Sequence, residues 1–240
     1  TLEIHAFSQD GSAKRRILIE GHTQPGAIAP YDILFDPTPG AELRVVSDTI
    51  PPTTTAVASP TPNANGWNNT DVTVNLSAVD NEGGSGVKEI VYSATGAQAI
   101  ASTTVPGAST SITLTAERTT TLIYFARDNA GNEEAPRTLT IQIDMTPPVV
   151  TATRTPNPNA NGWNNTDVTV RFEGTDSLSG IQGTSFFDVF FTLEGANQSA
   201  THTFTDLAGN STSATVSGIN LDKTQPVISG LPAPGCTLWP

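Results

Sequence analysis

Pro62-Asn63-Ala64-Asn65-Gly66-Trp67-Asn68-Asn69-Thr70-Asp71-Val72-Thr73-Val74 returns letter for letter as Pro158 to Val170, 96 positions further on. From Asp71 the stretch alternates. Asp71, Thr73 and Asn75 fall on one face and Val72, Val74 and Leu76 on the other, the two-residue period of a half-buried strand. A Gly-Trp loop precedes that strand in both copies. A duplication of this kind makes most of the chain two copies of one β module.

Outward from the duplicated stretch, proline joints mark where the copies begin and end. Asp48-Thr49-Ile50-Pro51-Pro52 is echoed by Asp144-Met145-Thr146-Pro147-Pro148 and by Asp222-Lys223-Thr224-Gln225-Pro226. Proline fixes φ and cannot donate to a ladder, so these are stiff points at which one sheet stops and the next begins. Their spacings, 96 and then 78 residues, are those of whole β-sandwich domains. Residues 49–146 form repeat one. They contain seven short strand candidates between Thr53 and Ile143, separated by turn formers such as Asn81-Glu82-Gly83-Gly84 and Asn129-Ala130-Gly131-Asn132.

Residues 147–224 form a shortened repeat two. Asp80 maps to Asp176 at a distance of 96, but Asp128 maps to Asp206 at 78, so 18 residues are missing between these landmarks. Two short strands with their turns account for the loss and leave the later strands running in the right direction. Phe186, Phe187, Phe190 and Phe191 fall in one predicted strand with aromatics on both faces. Residues 1–48 read as the C-terminal part of a preceding β module plus a linker. Within them Leu2 to Phe7 and Arg15 to Ile19 flank an Asp10-Gly11 hairpin turn. Residues 225–240 read as the start of a further module. The expected fold class is all-β: tandem immunoglobulin-like β-sandwich domains joined by short Pro-rich linkers.

Composition agrees with many short strands. Gly numbers 20 and Pro 18 and charged residues are only 14%, a composition that favours short strands joined by turns over long helices. The net charge of −12 repels phosphate backbones and argues against nucleic acid as a partner. No apolar run reaches the roughly 20 residues of a membrane-spanning helix. Cys236 is the one cysteine, so it is an incidental small residue or a bridge to another chain.

Trp-Asn-Asn-Thr-Asp-Val-Thr-Val, the Asp80 to Gly86 loop with its Gly-Ser-Gly ending, Asp-Asn-Ala-Gly-Asn at 128–132 and the Thr-Pro-Pro joint together resemble bacterial immunoglobulin-like (fibronectin type III-like) tandem repeats of large secreted and cell-surface proteins. The resemblance covers about residues 49–226. Repeat two departs from it, because Asp176-Ser177-Leu178-Ser179-Gly180 is two residues shorter than its counterpart. The resemblance implies spacer or adhesive domains without catalysis, located outside the cell. For a bacterial producer, the sequon-like triplets at Asn68, Asn75, Asn164, Asn197 and Asn210 are expected to stay unmodified.

In a seven-stranded sandwich the joint and two loops meet at one end. Asp48, Asp80, Glu82 and Asp128 therefore converge in repeat one, and Asp144, Asp176 and Asp206 in repeat two. Calcium, which takes six to eight oxygens, is the candidate cofactor. The competing reading has these side chains capping turns through local backbone hydrogen bonds. Trp67 and Trp163 either stack on a sugar or cover the ends of their own cores. His5, His22 and His202 are scattered and form no triad motif, so no catalytic residue is assigned and the chain is read as no enzyme. Three functions fit: an extracellular structural or adhesive spacer, a filament subunit joined head to tail by strand complementation, and an accessory carbohydrate-binding region of a secreted enzyme. The expected partners are neighbouring immunoglobulin-like modules, identical protomers or surface glycans.

Overall fold

The computed structural model describes residues 2–7, 14–19, 32–34, 44–46 and 48–230. Among the described residues every regular element is a strand. The first four, β1 (Leu2–Phe7), β2 (Lys14–Ile19), β3 (Asp32–Leu34) and β4 (Arg44–Val46), form two antiparallel pairs, β1 with β2 and β3 with β4. The runs on either side of Asp10-Gly11 therefore do pair. The Asp10-Gly11 turn, His22 and the segment 231–240 with Cys236 lie outside the described residues.

Repeat one contains β5 (Thr53–Ser59), β6 (Val72–Val79), β7 (Val87–Gly96), β8 (Ile100–Pro106), β9 (Ser109–Leu114), β10 (Arg118–Asp128) and β11 (Arg137–Ile143). One sheet has the order β5-β6-β9 and the other β11-β10-β7-β8, all pairs antiparallel. The alternation read from the duplicated stretch is the burial pattern of β6. Val72, Val74 and Leu76 are buried while Asn75 and Ser77 are exposed. The buried face joins one core with Ile90, Leu122, Ala126 and Ile143 of the opposite sheet. Each large aliphatic side chain there contributes about 1.5–3 kcal/mol by leaving water.

Repeat two contains β12 (Val149–Thr155), β13 (Trp163–Asn164), β14 (Val168–Thr175), β15 (Phe186–Phe191), β16 (Gly195–Thr205) and β17 (Ser211–Leu221). Its sheets are β12-β14-β15 and β13-β17-β16. Strand β15 pairs with β14 as β9 pairs with β6, so β7 and β8 have no counterpart. What is left of β7 is one bridge, Ile181 to Asp206. In repeat one the equivalent Val87–Asp128 pair opens a long ladder. Apart from the Ile181 bridge and the Gln182 N–H bond to Thr205 O, the outer edge of β16, where β7 would run, has no partner strand among the described residues.

Losing two strands uncovers core, and aromatic side chains replace them. Leu76 becomes Phe172, and Ala126 becomes Phe204, both buried. Ala78 becomes Gly174. A Cβ built there would lie 2.5 Å from the Phe204 ring, so the missing methyl is the space the ring occupies. His202 stacks on Phe187 at 4.3 Å and meets Phe204 edge-on at 4.6 Å. The four phenylalanines of β15 do lie in one strand and face both ways. Phe187 and Phe191 pair with buried β14 positions, while Phe186 on the outer face carries the Arg171 guanidinium at 4.5 Å.

Candidate functional site

The duplicated stretch builds the same turn twice. Asn63 Oδ1 accepts from the backbone N–H groups of Asn65 (2.9 Å) and Trp67 (3.1 Å), and Asn159 Oδ1 accepts from Asn161 (2.9 Å) and Trp163 (3.0 Å). Gly66 and Gly162 take positive φ, 85° and 83°, and each donates to the carbonyl of its turn asparagine at 2.9 Å. The chain then runs parallel beside the last strand of its own repeat. Asn68 N–H donates to Gln142 O and Asp144 N–H to Asn68 O, while Asp222 N–H donates to Asn164 O. The turn thus ends against the joint aspartate.

That aspartate is the hub. Asp144 hangs from repeat one by its N–H and grips repeat two by its Oδ2 and its carbonyl. Its Oδ2 accepts from Ser179 N–H (3.0 Å), its Oδ1 from Thr146 N–H (3.0 Å) and its carbonyl from Asn210 Nδ2 (2.8 Å). Asp48 repeats the arrangement on repeat one, accepting from Ser85 N–H (2.8 Å), Ile50 N–H (3.2 Å) and, at its carbonyl, Asn132 Nδ2 (3.1 Å).

The loops that meet each hub are closed by their own aspartates. Asp80 accepts from Asn81 and Gly86, and Asp176 from Leu178 and Gly180. The loop that is two residues shorter in repeat two keeps its closing bond. Asp128 accepts from the N–H and the Nδ2 of Asn132, and Asp206 does the same with Asn210. Ser85 Oγ accepts from Ala130 N–H and Ser179 Oγ from Ala208 N–H, which ties the two loops together.

The expected convergence is present. Carboxylate oxygens of Asp48, Asp80 and Asp128 lie within 4.8 Å of one another, as do those of Asp144, Asp176 and Asp206. Asp128, Asp144 and Asp206 are buried. Glu82 is exposed and stands apart from this group. The donor set, carboxylates with adjacent carbonyls, is of the kind a hard cation takes. It is also a set whose oxygens already accept backbone N–H bonds. Those bonds, chiefly the one from Ser85, hold the Asp48 carboxyl below its ordinary range.

Hydrogen bonds also cross between the repeats. Asn63 Nδ2 donates to the carbonyls of Leu207 (2.9 Å) and Ala208 (3.1 Å), and Asn65 Nδ2 donates to Leu207 O (3.1 Å). The duplicated turn of repeat one therefore touches the Asp-x-Ala-Gly-Asn loop of repeat two. Trp67 is half-buried and Trp163 is 37% exposed, and neither belongs to the two core clusters. The bridging roles of Asn63, Asn65, Ser85, Ser179, Asn132 and Asn210 escape a reading of single motifs. The signal for them is the recurrence of the same polar residue in both copies.

No helix among the described residues is long and apolar enough to cross a membrane. No family model matches the chain, and no curated protein matches it. Among solved structures it is similar to the fibronectin(III)-like modules of Clostridium thermocellum CbhA. The identity is 16% and the TM-score 0.34, over 75% of this chain and 100% of that one. So loose an overlap carries no weight, and the all-β sandwich assignment rests on the strand pairings themselves.

Proposed function

We infer that the chain is a non-catalytic structural or adhesive spacer of an extracellular protein, in which each β body is locked to the next through an aspartate hub. The observation that carries this reading is Asp144, a buried residue whose N–H is bonded to repeat one and whose Oδ2 and carbonyl are bonded to repeat two. The amide bridges of Asn63 and Asn65 support it. His202 supports the non-catalytic part, since its ring is engaged in aromatic packing. Asp144→Ala removes the charge-assisted bond to Ser179 and should let the repeats reorient independently. Residual dipolar couplings check this. The wild type should fit one alignment tensor for residues 53–221, and the variant should need two. A single tensor for both proteins would defeat the spacer reading.

Calcium at the two aspartate groups is tested by a thermal melt. With N–H donors already on the carboxylates, the hub is self-sufficient and the midpoint is expected to be the same in chelator and in millimolar calcium. A midpoint that rises with calcium assigns the ion to Asp48, Asp80 and Asp128 or to Asp144, Asp176 and Asp206.

The filament reading draws on one observation, the outer edge of β16, which has no partner strand among the described residues. An open edge is a template for a donated strand. Regular fibres by electron microscopy would favour it over the spacer.

A further inference from the structure

The far end of repeat two carries a surface pocket of about 480 Å³ lined by Pro156, Asn159, Trp163, Asn164, Asn165 and Asp222. Its counterpart on repeat one is made by Pro60, Asn63, Trp67, Asn68, Asn69 and Asp144, at the matching positions of the duplicated stretch and the joint. That counterpart is filled. The carbonyls of Leu207 and Ala208 bond to Asn63 and Asn65, Gly209 sits against Asn69, and Asp144 grips Ser179 and Asn210.

The geometry points to the same kind of occupant at the second end. We propose that the Asn159–Trp163–Asp222 pocket is a docking site for a further β module joined through Pro226, which inserts its Asp-x-Ala-Gly-Asn loop there.

Three features set the pocket up in advance. The turn of Asn159 is built by the same two hydrogen bonds as that of Asn63. It leaves Asn159 and Asn161 exposed, their Nδ2 groups without partners among the described residues. Asp222 is tied to Asn164 as Asp144 is to Asn68, and its exposed carboxylate accepts Thr224 N–H as Asp144 accepts Thr146 N–H. The exit segment also leaves in the same way. Glu194 accepts from Lys223 N–H and Thr224 Oγ1, as Glu117 accepts from Met145 N–H and Thr146 Oγ1. The occupant must offer two consecutive free carbonyls at a tight glycine turn and a Ser-Gly loop to meet Asp222. Asp144 is buried beneath the Ser179 and Asn210 loops, whereas Asp222, the same joint residue one repeat on, is exposed.

This inference rests on the spacer reading, and its test separates the two. The full chain is compared with a chain in which residues 149–222 are repeated after Pro226, isotope-labelled by segment so that only the original residues are seen. The readout is the broadening of the side-chain amide resonances of Asn63, Asn65, Asn159 and Asn161 by a soluble gadolinium chelate. On extension, broadening at Asn159 and Asn161 is expected to fall to the level of Asn63 and Asn65, and Asp222→Ala should restore it. If Asn159 and Asn161 keep their broadening while Asn63 and Asn65 remain protected, the docking proposal is wrong and the joint between repeats one and two stands. If Asn63 and Asn65 are broadened as readily as Asn159 and Asn161 in the starting chain, the spacer reading fails and the proposal with it. If the extension changes nothing but an oligosaccharide panel shifts the Trp163 indole N–H, the pocket takes a sugar and the docking proposal is overturned.

Discussion

Gly174 shows how one missing methyl lets a shortened sandwich close. The Phe204 ring fills the volume an alanine would claim, and Phe172 and His202 pack around that ring. A Cβ at 2.5 Å from the ring cannot be accommodated without moving Phe204, and Phe204 is held on the opposite sheet by the β16–β17 ladder. Gly174→Ala should therefore destabilise repeat two by about 1–3 kcal/mol through overpacking. Urea unfolding followed by near-ultraviolet dichroism measures the loss. The reverse change in repeat one, Ala78→Gly, removes a buried methyl and creates no clash.

At the scale of elements, the acidic loops behave as clamps closed by backbone donors. The charged form of Asp48 is favoured by the Ser85 and Ile50 N–H groups, so its folded pKa lies below 3.8. A depressed carboxylate pKa stabilises the fold above the unfolded value, and that contribution is lost as pH falls through the folded one. Stability should thus decline below pH 3.8, the ordinary value for this group, and Asp48→Asn should flatten that limb. Denaturant midpoints of both proteins across the acid range provide the check. Strand β16 belongs to this scale too. It has lost its β7 neighbour, and the loop at Asp176 is shorter, yet the closing bond to Gly180 survives at 2.6 Å. The loop tolerates the change because Asp176 bonds to the backbone of its own turn, whatever its length.

At the scale of the whole molecule, the two cores are coupled among the described residues by Asp144, which meets Ser179 and Asn210, and by Asn63 and Asn65, which meet Leu207 and Ala208. The two buried cores have no residue in common, and each repeat is expected to unfold as its own unit. The amide bonds from Asn63 and Asn65 are exposed or half-buried, and each contributes about 0.5–1.5 kcal/mol. The double variant Asn63→Ala, Asn65→Ala should leave both cores folded while separating their unfolding transitions further. Differential scanning calorimetry detects this as a wider gap between two endotherms. An unchanged trace would mean that the amide bridges transmit nothing between the repeats.

Much of this was legible in the chain itself. Val72, Val74 and Leu76 announced a strand and its buried face, because side chains in a strand alternate with a period of two wherever the backbone goes. Recurrence of Asp at the joints and loops announced that carboxylates would meet in each repeat, because two copies of one sandwich bring the same loops to the same pole, though Glu82, expected among them, stands apart. What only the tertiary structure decided was how those groups are used. Asp144 is bonded to Ser179, 35 residues away in the Asp176 loop, and to Asn210, 66 residues away in the Asp206 loop. Hydrogen bonds over such separations depend on how the sheets bring the loops together, and the spacing of residues along the chain does not encode that. The same holds for Asn63 and Asn65. Their turn was written in the repeated text, but the carbonyls they reach belong to another repeat, and only the packing of one body on the next supplies them.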